Sequence, residues 1–130
     1  MLTGHSSHKV CLPQLLEAQS QQIQGLISTH TLAELYSALT RIPQTQISPA
    51  LAQNLIRDNL QTFECIPLTA EDYTEAINAM VRHQIPGGGI FDALIAQATL
   101  KSQADVLLTL NPKHFTRLGS VIASKVQVPQ

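Results

Sequence analysis

Glu34, Asp92 and Asn111 are the residues of this chain whose types and positions suggest shared chemistry. Asp92 opens the helical stretch IFDALIAQATLK, and Asn111-Pro112 closes the apolar run DVLLTL and starts another helix. Glu34 follows the short apolar run GLIST. Two carboxylates and a side-chain amide thus lie at helix starts that follow strand ends or the glycine break. With parallel strands and right-handed crossovers, those helix starts share the carboxyl edge of a sheet, where open α/β sheets bind ligands. Clustered carboxylates repel one another unless a cation lies among them, and hard oxygen donors favour Mg²⁺ or Mn²⁺. A divalent ion held there binds a phosphate oxygen, activates a water and stabilises a departing oxygen, so phosphodiester hydrolysis is the natural reaction.

Each residue also has an ordinary structural role. Thr31-Leu-Ala-Glu34 reads as a capping box in which Glu34 accepts a backbone N–H. Asp92 suits a helix dipole, and Asn111 before Pro112 is a good N-cap. His30 stands one helical turn before Glu34 and pairs with it or merely touches it. Lys113, His114 and Arg117 follow Asn111 and suit either RNA phosphate contacts or a solvated basic turn. Gly87-Gly88-Gly89 lacks the following Lys-Ser/Thr of a phosphate loop and reads as a sharp turn before the Asp92 helix. His5-x-x-His8-x-x-Cys11 has metal-like spacing but no second ligand pair, so a loop or helix start is expected there rather than zinc.

The elements that must position these residues alternate. The stretch VCLPQLLEAQSQQI is helical in pattern, GLIST is a short buried strand, and TLAELYSALTRI is a helix ended by Pro43. Ser48-Pro49 caps a helix through PALAQNLIRDNLQ, and FECIPL is a second strand. Thr69 caps AEDYTEAINAMVRHQ, whose Tyr73, Ile77, Met80 and Val81 are expected to face inward. After the Asp92 helix come the strand DVLLTL, a short helix at PKHFTRL and a last strand in VIASKVQV. This alternation predicts one α/β domain over residues 1–130, a parallel sheet covered by helices on both faces. The 130 residues suffice for one core, and the net charge of −1 excludes a strongly basic nucleic-acid binder. Charged residues are only 13%, and fourteen glutamines partly replace them. The two cysteines, Cys11 and Cys65, sit among apolar neighbours and read as buried free thiols in a reducing cytosol. No signal peptide or membrane span is visible.

STHTLAELYSALTRIP, FECIPLTAEDYTEAI and GGGIFDALIAQATLKSQADVLLTLNPKHF resemble the PIN domain, in particular the VapC-like toxins of prokaryotic toxin–antitoxin pairs. The resemblance runs from about residue 5 to residue 118. It implies a Mg²⁺-dependent ribonuclease that uses about four acidic residues, often dimerises, and is held inactive by a cognate antitoxin. Glu34 falls on the acidic residue of the helix after the family's second strand, and Asp92 on that of the D-A-L-I segment. Asn111 stands where the family commonly has Asp, and Thr109 matches the hydroxyl residue before it. The family's first strand, central in its sheet, and the acidic residue that ends it have no counterpart after Met1. The expectation is a start upstream of Met1. In-frame translation of the preceding DNA tests it, and an immediate stop codon favours a degenerate gene.

The expected activity is cleavage of RNA with Mg²⁺ or Mn²⁺ held by Glu34 and Asp92, Asn111 assisting. Thr109, Lys113, His114 and Arg117 are candidate RNA contacts. The alternative is a degenerate, inactive PIN module that binds an antitoxin or RNA, favoured by the absent first acid and by Asn111. A flavodoxin-like small-molecule binder lacks the required Gly-rich loop after its first strand.

Overall fold

The computed structural model describes residues 24–41 and 47–128. Its element order is β1 (Leu26–Ser28), α1 (Thr29–Arg41), α2 (Pro49–Asn59), β2 (Glu64–Ile66), α3 (Ala70–Arg82), α4 (Gly89–Lys101), β3 (Leu107–Leu108), α5 (Pro112–Thr116), α6 (Ser120–Ala123) and β4 (Val126–Gln127). Both strand ladders are parallel: β1 pairs with β2 through Ile27 and Cys65, and β3 pairs with β4 through Leu107 and Val126. The α/β class and the parallel pairing match the expectation. Among the described residues the strands form two separate two-stranded ladders. The N-terminal helix, the His5/His8/Cys11 stretch and Cys11 itself lie outside the described residues.

Local side-chain chemistry sets the helix starts. Ser28 Oγ accepts the Thr31 backbone N–H at 3.1 Å and lies 2.9 Å from Thr31 Oγ1. Ser28 is therefore the cap, and α1 begins two residues before the expected Thr31. The Thr31–Glu34 capping box does not form, which leaves the Glu34 carboxylate without that backbone partner. Ser48 caps α2 as expected, accepting the Leu51 N–H at 3.1 Å. Thr69 and Asp72 form a reciprocal capping box at the start of α3.

Of the residues of α3 expected to face inward, Met80 alone is buried. The buried stripe of this helix is Asp72, Ala76 and Met80, whereas Tyr73, Ile77 and Val81 are exposed, Val81 by 72%. The two stripes are one residue apart, about 100° around the helix. Burying Ala76 brings α3 close to α4, whose own buried residues include Ala93 and Ala96. Asp72 tolerates burial because every side of its carboxylate is bonded. It accepts from the Thr69 N–H at 2.8 Å, from Gln97 Nε2 at 3.2 Å and from Lys101 Nζ at 2.7 Å.

Lys101 Nζ also donates to the Pro67 carbonyl at 2.7 Å, tying the end of α4 to the segment after β2. Helix α4 buries Gly89, Ala93, Leu94, Ala96, Ala98 and Thr99, and so is a core helix rather than an amphipathic surface one. Around it, Met80, Leu107, Phe115, Leu118 and Ile122 complete the core.

Three smaller expectations are corrected. Strand β3 covers only Leu107–Leu108 of DVLLTL. The expected last strand begins as a helical turn, Ser120–Ala123, and only Val126–Gln127 is extended. Cys65 is exposed, because in β2 Ile66 alone turns inward. Among the described residues no helix is long and apolar enough to cross a membrane.

The Lys101 ammonium, and next the Thr69 N–H, hold the Asp72 carboxyl well below the usual carboxylate range, against the opposing effect of burial. A lowered folded value means that Asp72 stabilises the fold above the unfolded value of about 3.9, and that this is lost as pH falls through the folded value. Urea unfolding followed from pH 7 downward should show stability declining below about pH 4. Asp72→Asn should be less stable at pH 7 and should lose part of that acid-side decline.

Candidate active site at the start of helix α4

Asp92 lies in the first turn of α4, half-buried, with its Oδ2 facing an imidazole and a guanidinium. His114 Nδ1 is 3.5 Å away and Arg117 Nη2 3.9 Å away. Loss of water raises the Asp92 carboxyl above its ordinary value, and the electrostatic influence of His114 and Arg117 acts against that rise. Both come from the segment after β3, so the packing of α5 on α4 creates this constellation.

Two glycines make the approach possible. Gly87 has φ +64°, the left-handed turn expected of the triple glycine. Gly89 serves a different purpose. A Cβ there would lie 2.5 Å from Ile85 Cγ2 and 3.1 Å from Arg117 Nη2, so a side chain here would clash with Ile85 and press on the Arg117 guanidinium.

Glu34 projects from α1 beside His30, with Nε2 and Oε1 3.6 Å apart. Both of these atoms are enclosed, and among the described residues neither has a hydrogen-bond partner. The His30 ring stacks on Phe91, with centroids 5.2 Å apart and planes within 7°, and Tyr73 meets His30 edge-on. The residue preceding Asp92 is therefore joined to the residue one turn before Glu34, linking α1 to α4.

Asn111 is not the side-chain cap expected of it. Its N–H donates to Thr109 Oγ1 at 3.0 Å, and its carbonyl accepts the His114 N–H at 3.0 Å. Thr109 is buried and fixes this turn, while the Asn111 side chain is exposed. Lys113 is exposed on the same short helix.

The structure thus brings Asp92, His114 and Arg117 together directly. It joins Glu34 to Asp92 through His30 and Phe91, and Asn111 to Asp92 through the turn that carries His114. The sequence does not single out Phe91, and it presents Tyr73 only as an inward-facing residue and Gly89 only as part of a turn. Gly89 was hidden in a triple glycine, and nothing local distinguishes a ring that stacks across two helices.

Among the described residues no three His, Cys, Asp or Glu side chains converge as a metal-ligand set. The donors present fit a hard divalent ion held by one or two carboxylates, with water and substrate completing its shell. Glu34 Oε1, enclosed and unbonded, and Asp92, raised by desolvation, are both oxygens that a cation would satisfy.

The PIN domain model matches residues 1–120. The chain belongs to the PIN domain family. Ribonuclease VapC27 of Mycobacterium tuberculosis (strain ATCC 25618 / H37Rv) is 33% identical over 85 residues, covering 64% of this chain and 60% of that relative. The matched part therefore spans less than two thirds of the relative's length. No solved structure matches the chain significantly. In this PIN domain the acidic residue of the D-A-L-I segment is set against His114 and Arg117, and Glu34 is set beside His30.

Gly89→Ala separates helix propensity from close approach. Alanine favours a helix by up to about 1 kcal/mol over glycine, whereas overpacking costs about 1–3 kcal/mol. With Ile85 at 2.5 Å the second effect should win. Thermal and urea unfolding should show net destabilisation, and the NMR signals of the Arg117 guanidinium should shift as it is pushed from Asp92. A stabilised variant with unmoved Arg117 signals would contradict the packing described.

Proposed function

We propose that this PIN domain is an endoribonuclease of the VapC type that hydrolyses RNA phosphodiesters with Mg²⁺ or Mn²⁺. The observation that carries the reading is the alignment with Ribonuclease VapC27. Glu34 and Asp92 would hold the ion, with the Asn111 side-chain carbonyl as an auxiliary oxygen. When bound, the ion supplies Lewis-acid stabilisation of phosphoryl charge and acidifies a water. Arg117 and His114, already beside Asp92, orient the substrate phosphate, and Lys113 adds charge on the same helix. Thr109 holds the Asn111 backbone in register. The setting proposed is the cytoplasm, with a cognate antitoxin as protein partner and a second copy as a possible assembly.

A second reading has a specific observation behind it. Asp92 faces His114 and Arg117, and among the described residues no third acidic group joins it and Glu34. That arrangement also suits an inactive module that binds RNA or an antitoxin.

Cleavage of a labelled single-stranded RNA by the full chain separates the two. Cleavage is expected with Mg²⁺ or Mn²⁺ and not with chelator. Asp92→Asn and Glu34→Gln should each lower the rate by about a hundredfold or more. Arg117→Met should chiefly raise KM. Equal cleavage by the parent chain and Asp92→Asn would refute the assigned site. Retained RNA or antitoxin binding without cleavage would favour the inactive module.

A further inference from the structure

Phe91 is half-covered in an unusual way. His30 lies parallel to one side of its ring, 5.2 Å away, and Tyr73 abuts His30 from the edge at 6.4 Å. His30 stacks on one side of the ring, yet Phe91 still exposes 45% of its surface, which leaves much of the ring to solvent. A planar ring exposed to solvent and held in place by a second ring accepts another planar ring. Unpaired nucleobases bind proteins in this way, and duplexes do not because their bases already stack on one another.

The charges beside the platform point to the same class of ligand. Asp92 follows Phe91 directly, and His114 and Arg117 lie against Asp92 with Lys113 exposed nearby. Phe91 and Asp92 are neighbours in the chain, so the basic side chains gathered at Asp92 are at hand for the phosphate chain that carries a base. The neighbouring groove of about 440 Å³, lined by Ile77, Val81, Ile85, Pro86 and Ile90 among others, carries no charged side chain and lacks this complementarity.

We propose that the exposed ring of Phe91, backed by His30, stacks an unpaired RNA base beside the phosphate engaged by Arg117 and His114, confining this site to single-stranded segments. The proposal rests on the ribonuclease reading and adds to it a base-binding subsite.

The chain contains no tryptophan, so Phe91→Trp introduces a single indole at the platform. The test titrates the full chain with a short fluorescein-labelled single-stranded RNA in chelator, which stops cleavage. Binding is read by anisotropy of the label and stacking by indole emission, with circular dichroism confirming the fold of each variant. Single-stranded RNA should quench the indole over the same concentrations that raise the anisotropy, and the matching duplex should not. Phe91→Leu should bind about tenfold more weakly, and Phe91→Tyr should bind like the parent chain. Binding with unchanged indole emission, equal affinity of Phe91→Leu, or equal quenching by duplex would overturn the stacking proposal while leaving the ribonuclease reading intact. Emission that follows protein concentration and ignores RNA would make this face an interface between copies and overturn it too. Absence of RNA binding by every form, parent included, would overturn the stacking proposal, while cleavage with Mg²⁺ decides the ribonuclease reading separately.

Discussion

The Lys101–Asp72 pair determines how helix α4 lies, and with it where the site stands. Asp72 is in the first turn of α3 and Lys101 is the last residue of α4, so the pair sets the two helices antiparallel. A carboxylate in a helix interface is strongly unfavourable unless its oxygens are satisfied, and here Lys101, Gln97 and Thr69 satisfy them. This bonding permits a small, close interface of Ala76 against α4 instead of a bulky one built from Ile77 and Val81. The close interface in turn requires Gly89 at the opposite end, where Met80, Ile85 and Arg117 crowd the backbone. Helix α4 is about 20 Å long and is held at both ends, by an ion pair at one and by a bare backbone at the other.

Because α4 is fixed, Asp92 has little choice of surroundings. The first turn of a core helix is only half in water, which raises its carboxyl, and the segment after β3 brings His114 and Arg117 within 4 Å of it. Glu34 arrives by another route. Ser28 takes over the capping of α1, so Glu34 is released from the backbone and stands beside His30, whose ring is set by Phe91. The two candidate carboxylates thus depend on separate devices, a packed helix and a stacked ring, that meet at residues 91 and 92.

Much of this was legible in the sequence, and the failures share a cause. Caps at Ser48 and Thr69, the strand at Leu26–Ser28 and the helix carrying Asp92 follow from local chemistry alone. The inward face of α3 did not follow, because apolar size is a poor guide where an alanine packs closely and an aspartate is buried with partners. Asn111 has a strong capping signature, yet the Thr109 hydroxyl takes its N–H and the side chain turns out to solvent. Thr31–Glu34 has the same defect: Ser28, one strand-end earlier, competes for the same N–H and wins. In each instance a neighbouring hydroxyl acceptor or a tertiary partner displaced a reading that was sound residue by residue. The roles of Phe91 and Gly89 arise only from contacts between elements distant in sequence.

His114 and Arg117 beside Asp92 do not by themselves decide between an active and an inactive site. Electrostatic attraction scales with charge over distance, and a divalent ion lies about 2 Å from its oxygen ligands. Arg117, singly charged at 3.9 Å, therefore offers Asp92 about a quarter of that attraction in the same medium. The long separation, with no hydrogen bond between the two groups, also means that little is lost when Arg117 turns to another anion. Opposing this, Mg²⁺ gives up water reluctantly, and two carboxylates are near the lower limit of what it requires from protein. The balance depends on the negative charge that the substrate phosphate itself brings. A site of this composition is expected to bind ion and RNA together more tightly than either alone, with Arg117 and His114 passing from carboxylate to phosphate as the complex forms.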